Sequence, residues 1–229
     1  MTDSRLGVVF DMDGVLVDSY HAHLRSWQVV AAEQGRRMTE EEFAAGFGRT
    51  SREIIAMWEG AQRYDDRQIA ELDRRKEAVF REILAADFPA MPGVHAMLRS
   101  LAAAGLALAV GSSGPPENVE LVLDRLGERG LFGAVVHGMD VTRGKPDPQV
   151  FLTAAARLGI APGCCAVVED APPGIEAAHA AGMAAVGFPS TGRTGEQLAA
   201  AEVLIGCLDD LTPEVVRAVI AAGAKRTGE

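Results

Sequence analysis

The chain has 229 residues, 48% hydrophobic and 24% charged, the composition of a folded globular protein long enough to bury a proper core. Its formal net charge of −10 excludes nucleic acid as a main partner, because a polyanion is held by a basic footprint. No stretch approaches the ~20 unbroken apolar residues of a membrane helix, and the opening Met1-Thr2-Asp3 carries an acid where a secretory leader carries bases, so no membrane role and a cytoplasmic location are expected.

The first short apolar run is Leu6 to Phe10, followed far along the chain by Leu106 to Val110, Ala134 to His137, Ala166 to Val168, Ala184 to Phe188 and Val203 to Ile205. Runs of this length without alternation suit parallel strands buried on both faces. Helical patterns at about 93–104, 115–126, 147–158 and 173–181 alternate with them. This rhythm predicts an α/β fold built on a doubly wound, Rossmann-like parallel sheet. Between about 18 and 87 the patterns are helical only, and Asp87-Phe-Pro-Ala-Met-Pro-Gly93 punctuates the return. The expected organisation is a core domain of 1–15 and 92–229 with an α-helical cap of 16–91 inserted after the first strand. The three cysteines, two of them adjacent as Cys164 and Cys165, match neither a disulfide framework nor paired metal ligands and read as reduced thiols.

Candidate chemistry falls at the predicted carboxyl ends of strands, where open parallel sheets bind their ligands. The first run ends in Phe10-Asp11-Met12-Asp13-Gly14; side chains two apart on an extended chain point the same way, so Asp11 and Asp13 can converge on a hard cation such as Mg²⁺. A solvated acidic turn fits the same residues. An EF-hand loop does not, because its sixth and twelfth positions hold Leu16 and Ala22 instead of glycine and glutamate. The second run leads into Gly111-Ser112-Ser113-Gly114, suited to phosphate oxygens ahead of a helix. The third leads to Gly144-Lys145-Pro146, which fixes a point charge, and the fourth to Glu169-Asp170, another carboxylate pair. Singly these read as ordinary turns and a helix cap. Their shared position at successive strand ends is what carries weight.

In that order, Asp11-Met-Asp13-Gly14-Val-Leu-Val-Asp18-Ser19, Ser112, Gly144-Lys145-Pro-Asp-Pro148 and Glu169-Asp170 resemble the four motifs of the haloacid dehalogenase superfamily, in its helical-cap branch of sugar-phosphate phosphatases and beta-phosphoglucomutase. The resemblance implies a Mg²⁺-dependent enzyme whose Asp11 attacks phosphorus to give an aspartyl phosphate, with Asp13 as general acid and base and Lys145 and Ser112 assisting. Mg²⁺ would be bound by Asp11, the Asp13 carbonyl and Asp170, with Glu169 in direct or supporting contact. The partner it implies is a small phosphorylated metabolite, a sugar or polyol phosphate; the chain is taken as a monomer or weak dimer.

Within the cap, Asp18 to Trp27 resembles the mutase segment whose histidine and tryptophan line the substrate pocket, here His23 and Trp27. Arg52 in Gly48-Arg-Thr-Ser-Arg52-Glu53 matches a cap arginine that contacts a distal phosphate, and Lys76 is a further cationic candidate. Helix packing and solvated helix faces account for the same residues. After Ser112 the mutase pattern supplies a serine and a lysine for a second phosphate, whereas this chain reads Ser113-Gly-Pro-Pro-Glu-Asn118. Ser113 and Asn118 are the remaining candidates there. The missing lysine favours hydrolysis over mutation, since a second phosphate needs compensating charge. A phosphoacceptor signalling module shares the acidic, hydroxyl and lysine set but has no place for the helical insertion. A dehalogenase would have no use for Asp13 or a magnesium pair.

Overall fold

The computed structural model describes residues 5–58 and 64–226; the first four residues, on which the absence of a leader was read, and residues 59–63 of the insertion lie outside it. Two compact units are present, one comprising 1–18 and 89–229, the other 19–88.

The first unit is built on a parallel sheet of strands β1 (Gly7–Phe10), β2 (Ala107–Gly111), β3 (Phe132–Val136), β4 (Cys165–Glu169), β5 (Ala184–Gly187) and β6 (Val203–Leu204), in spatial order β3-β2-β1-β4-β5-β6. The order reverses between β1 and β4, which makes their carboxyl ends the topological switch point. Every residue of β1, β2 and β4 is buried, as expected of strands covered on both faces. The sheet-edge strand β3 alternates in burial, so the uninterrupted run seen in sequence begins only at Ala134, two residues after the strand itself.

In the second unit, helices α1 (Tyr20–Glu33), α2 (Glu40–Gly46), α3 (Ser51–Ala56) and α4 (Asp66–Ala86) enclose their own apolar core. The helix starts are written locally: Thr39, Thr50 and Asp65 each cap a first turn in a capping box. Along α4 the buried residues Leu72, Lys76, Val79, Phe80 and Leu84 form a stripe of helical period, with one ammonium among apolar groups.

The sheet is covered by α5 (Val94–Ala103), α6 (Pro116–Leu126), α7 (Gln149–Leu158), α8 (Pro172–Ala180) and α9 (Pro213–Arg226). The last of these has no counterpart in the sequence reading. Residues 16–18 and 89–91, assigned to the cap from sequence, pair with one another inside the first unit: Val17 bridges Ala90, the Asp18 N–H donates to the Pro89 carbonyl at 2.9 Å, and the Met91 N–H donates to Leu16 at 3.1 Å. Among the described residues no helix is long and apolar enough to cross a membrane.

Candidate active site

Asp11 is the residue immediately after β1, and its N–H still donates to the Val168 carbonyl of β4 at 3.0 Å. That ladder bond sets Asp11 beside Glu169, the last residue of β4, with Asp170 next in the chain. One oxygen from each of Asp11, Glu169 and Asp170 lies within 4.8 Å of the others. Lys145 arrives from the loop between β3 and α7, its Nζ donating to Asp11 Oδ1 at 2.7 Å and to Glu169 Oε1 at 2.5 Å. The ammonium also lies over the fully buried Phe151 ring, with Nζ 4.9 Å from the ring centre.

The other Glu169 oxygen accepts the Asp170 and Ala171 N–H groups, each at 3.0 Å. Both oxygens of Glu169 are thus engaged by the protein. Asp170 Oδ2 accepts the Ser190 hydroxyl at 2.7 Å. Ser190, on the loop after β5, escaped the sequence reading because serine in a Pro-Ser-Thr-Gly turn gives no local hint of a distant carboxylate partner.

Burial is the leading electrostatic cause throughout. It pushes Asp11 up to about 6, opposed by Lys145 and reinforced by the charges of Asp170 and Asp13. Glu169 and Asp170 are likewise raised above the ordinary carboxylate range, first by burial; Lys145 opposes the shift at Glu169, and the Glu169 charge adds to it at Asp170. Burial works against the Lys145 charge, but the attraction of Asp11 and Glu169 outweighs it and raises its pKa. Three buried carboxylates therefore share the Lys145 ammonium, with the Arg193 charge also felt at Asp170. The set is all oxygen, crowded and short of positive charge, which is the donor chemistry a hard divalent cation such as Mg²⁺ satisfies.

Ser112, buried just past β2, accepts the Gly114 N–H on its Oγ at 3.0 Å. Ser113 beside it is exposed, and Asn118 is buried in the first turn of α6. The carboxylate of Asp13 is not in the trio, although its charge is felt by Asp11. The structure thus brings Asp11, Lys145, Glu169 and Asp170 into direct contact or close approach, with Ser112 at the neighbouring strand end.

The helical-unit candidates are placed differently. Trp27 is only 2% exposed and meets Trp58 edge to face at 5.9 Å in that unit's core, so helix packing accounts for it. His23 stacks on Phe80 at 4.1 Å, and its Nδ1 lies 2.9 Å from Lys76 Nζ, which also donates to Glu77 at 2.7 Å. Arg52 is exposed and pairs with Asp66 at 3.0 Å.

The family model described as haloacid dehalogenase-like hydrolase matches residues 6–182. The chain is 33% identical over 217 residues to beta-phosphoglucomutase of Bacillus subtilis, covering 91% of this chain and 92% of that one. It is 33% identical over 191 residues to a fructose-1-phosphate phosphatase of Escherichia coli, covering 81% and 97%. In fold it is similar to the crystal structure of beta-phosphoglucomutase from Clostridium difficile, with a TM-score of 0.84 at 21% identity over 95% and 98% of the two chains.

Proposed function

Because the chain belongs to the haloacid dehalogenase-like hydrolases, an enzyme family of phosphatases and phosphomutases, we propose that it hydrolyses a phosphate monoester of a sugar or polyol with Asp11 as nucleophile. The observation that carries this reading is the buried Asp11 at the end of β1, held by Lys145 at 2.7 Å beside Glu169 and Asp170. Lys145 orients the nucleophilic carboxylate and offsets the charge of an incoming phosphate.

In the first step an Asp11 oxygen bonds to phosphorus as the bond from phosphorus to the substrate oxygen breaks, and Asp13 gives its proton to the departing alkoxide. In the second, Asp13 takes a proton from water, which attacks the aspartyl phosphate; inorganic phosphate leaves and the Asp11 carboxylate is regenerated. The Ser112 hydroxyl and nearby N–H groups hold phosphoryl oxygens. Asp11, Asp170 and the Asp13 carbonyl would hold Mg²⁺, which would supply the positive charge that lets an anion approach an anion. Glu169, with both oxygens already engaged, keeps Lys145 in place.

Hydrolysis is favoured over mutation by the start of α6. Pro115 and Pro116 occupy its cap and first position, so two groups that elsewhere offer N–H donors offer none, and Glu117 in the first turn adds negative charge. A second phosphate finds little to hold it there. His23, Arg52 and Lys76 remain our candidates for recognising the rest of the substrate.

The test is a panel of phosphorylated sugars, polyols and glycolate with Mg²⁺, with and without a hexose bisphosphate activator. Release of inorganic phosphate independent of the activator is expected. Isomerised sugar phosphate in its place would establish the mutase, and turnover of neither kind would remove the assignment.

A further inference from the structure

The loop after β5 performs two tasks within four residues. Ser190, Thr191, Gly192 and Arg193 form a turn closed by the Arg193 N–H on the Ser190 carbonyl at 2.9 Å, with Gly192 at φ 81°, the left-handed position that such a turn reserves for glycine. The turn fixes the directions of its first two side chains. Ser190 Oγ donates to Asp170 Oδ2 at 2.7 Å, and Thr191 Oγ1 donates to Asp18 Oδ2 at 2.9 Å.

Space for the first contact is made by a residue far away in sequence. Gly14, at φ 75°, lies against the pair: a Cβ there would stand 2.2 Å from Asp170 Oδ2 and 2.8 Å from Ser190 Oγ. The glycine within the first motif is therefore required by the Asp170–Ser190 pair as well as by its own backbone conformation. The second contact ends on Asp18, whose N–H is tied to Pro89, so the loop is anchored to the paired segments 16–18 and 89–91.

We infer that Ser190 is a positioning residue for the cation site, fixing the Asp170 carboxylate so that its other oxygen faces Asp11, and that Thr191 anchors Ser190 through Asp18. The inference rests on the proposed role of Asp170 as a magnesium ligand. A carboxylate hydrogen-bonded through one oxygen has its plane set before the ion arrives, which is how partners behind a ligand raise affinity for a metal. Thr191 touches none of the acidic trio, so any influence it has on the ion travels through the turn.

The experiment is calorimetric titration of Mg²⁺ into the metal-free protein, paired with the rise in melting temperature that Mg²⁺ produces. Ser190→Ala weakens binding about tenfold, the usual scale for loss of a group supporting a ligand. Ser190→Thr, which keeps the hydroxyl, stays close to the parent. Thr191→Val weakens binding by a smaller factor. Should Ser190→Ala not fold, Ser190→Cys, a poor donor of similar size, makes the same comparison.

Parent-like affinity in Ser190→Ala, or equal weakening in Ser190→Ala and Ser190→Thr, overturns the positioning role; parent-like affinity in Thr191→Val overturns the anchor. Asp170→Ala separates the two levels. If it abolishes Mg²⁺ binding while Ser190→Ala leaves it unchanged, only this inference fails, whereas unchanged binding in Asp170→Ala removes the metal assignment itself.

Discussion

Gly174 lies directly beneath Glu169: a Cβ on Gly174 would stand 1.9 Å from the Glu169 carboxyl carbon, inside any possible contact. Gly174 is the third residue of α8 and its N–H bonds back to Ala171, so the helix has little freedom to retreat. Glu169 must move instead, and with it Lys145. Gly174→Ala is expected to lower turnover by about a hundredfold, the scale of an ångström misplacement at a reacting centre. The helix itself stays formed, since alanine is the better helix former. Steady-state assays beside circular dichroism will check this, and unimpaired turnover would show that Glu169 is not needed where it stands.

Asp11→Asn keeps the shape of the nucleophile and removes its charge. It is expected to abolish both phosphate release and the phosphorylated intermediate, read by mass spectrometry of acid-quenched protein. Asp13→Ala should retain the attacking carboxylate and lose the proton donor, giving turnover reduced by roughly 10²–10⁴-fold. Substantial phosphatase activity in purified Asp11→Asn would contradict the assignment.

Lys145→Met removes the ammonium from between Asp11 and Glu169 and leaves buried carboxylates facing one another. Breaking a buried pair by deleting one partner destabilises by roughly 3 kcal/mol or more. For a chain of this size that is a fall of about 6–12 °C in melting temperature. The measurement is a thermal melt in chelator, and added Mg²⁺ is expected to recover part of the loss. Unchanged melting would mean the ammonium does not compensate those acids.

Away from the site, Asp140 accepts from Arg157 at 2.7 and 3.1 Å and from the His137 N–H at 3.0 Å. The Arg157 bonds lead in lowering its pKa to about 2 from an ordinary 3.8. A carboxylate with a depressed folded-state pKa stabilises the fold above its unfolded value, and that contribution is lost as pH falls from about 4 to 2. Arg157 is 41% exposed, so solvent screening limits the effect to about 1 kcal/mol. Asp140→Asn should lose this amount at neutral pH and match the parent below about pH 2. Denaturant unfolding across that range tests it; a constant gap between the two proteins would reject it.

How much of this was legible in the sequence depends on whether the determinant was local. The strands β1, β2 and β4 are central and apolar throughout, so Leu6 to Phe10, Leu106 to Val110 and Ala166 to Val168 marked them directly. The motif acids and Lys145 were visible because each follows such a run. Partnerships made across the sheet were not: nothing near Ser190 names Asp170, and nothing near Gly174 names Glu169. Trp27 shows the opposite limit, since helical spacing puts a residue on a face without saying whether that face meets a ligand or the unit's own core, where this side chain is packed. Helix α9 was missed because its small residues give a weak apolar stripe.

Val17 and Ala90 form a bridge at the point where 19–88 depart and return, with Asp18 and Pro89 joined by a 2.9 Å hydrogen bond. A segment whose two ends are stitched together by its host behaves as a cassette. It can be lengthened, exchanged or replaced by a short linker without altering the order of the sheet strands that carry Asp11 and Asp170. Changes confined to the insert therefore leave untouched the strand ends that hold Asp11, Glu169 and Asp170 together.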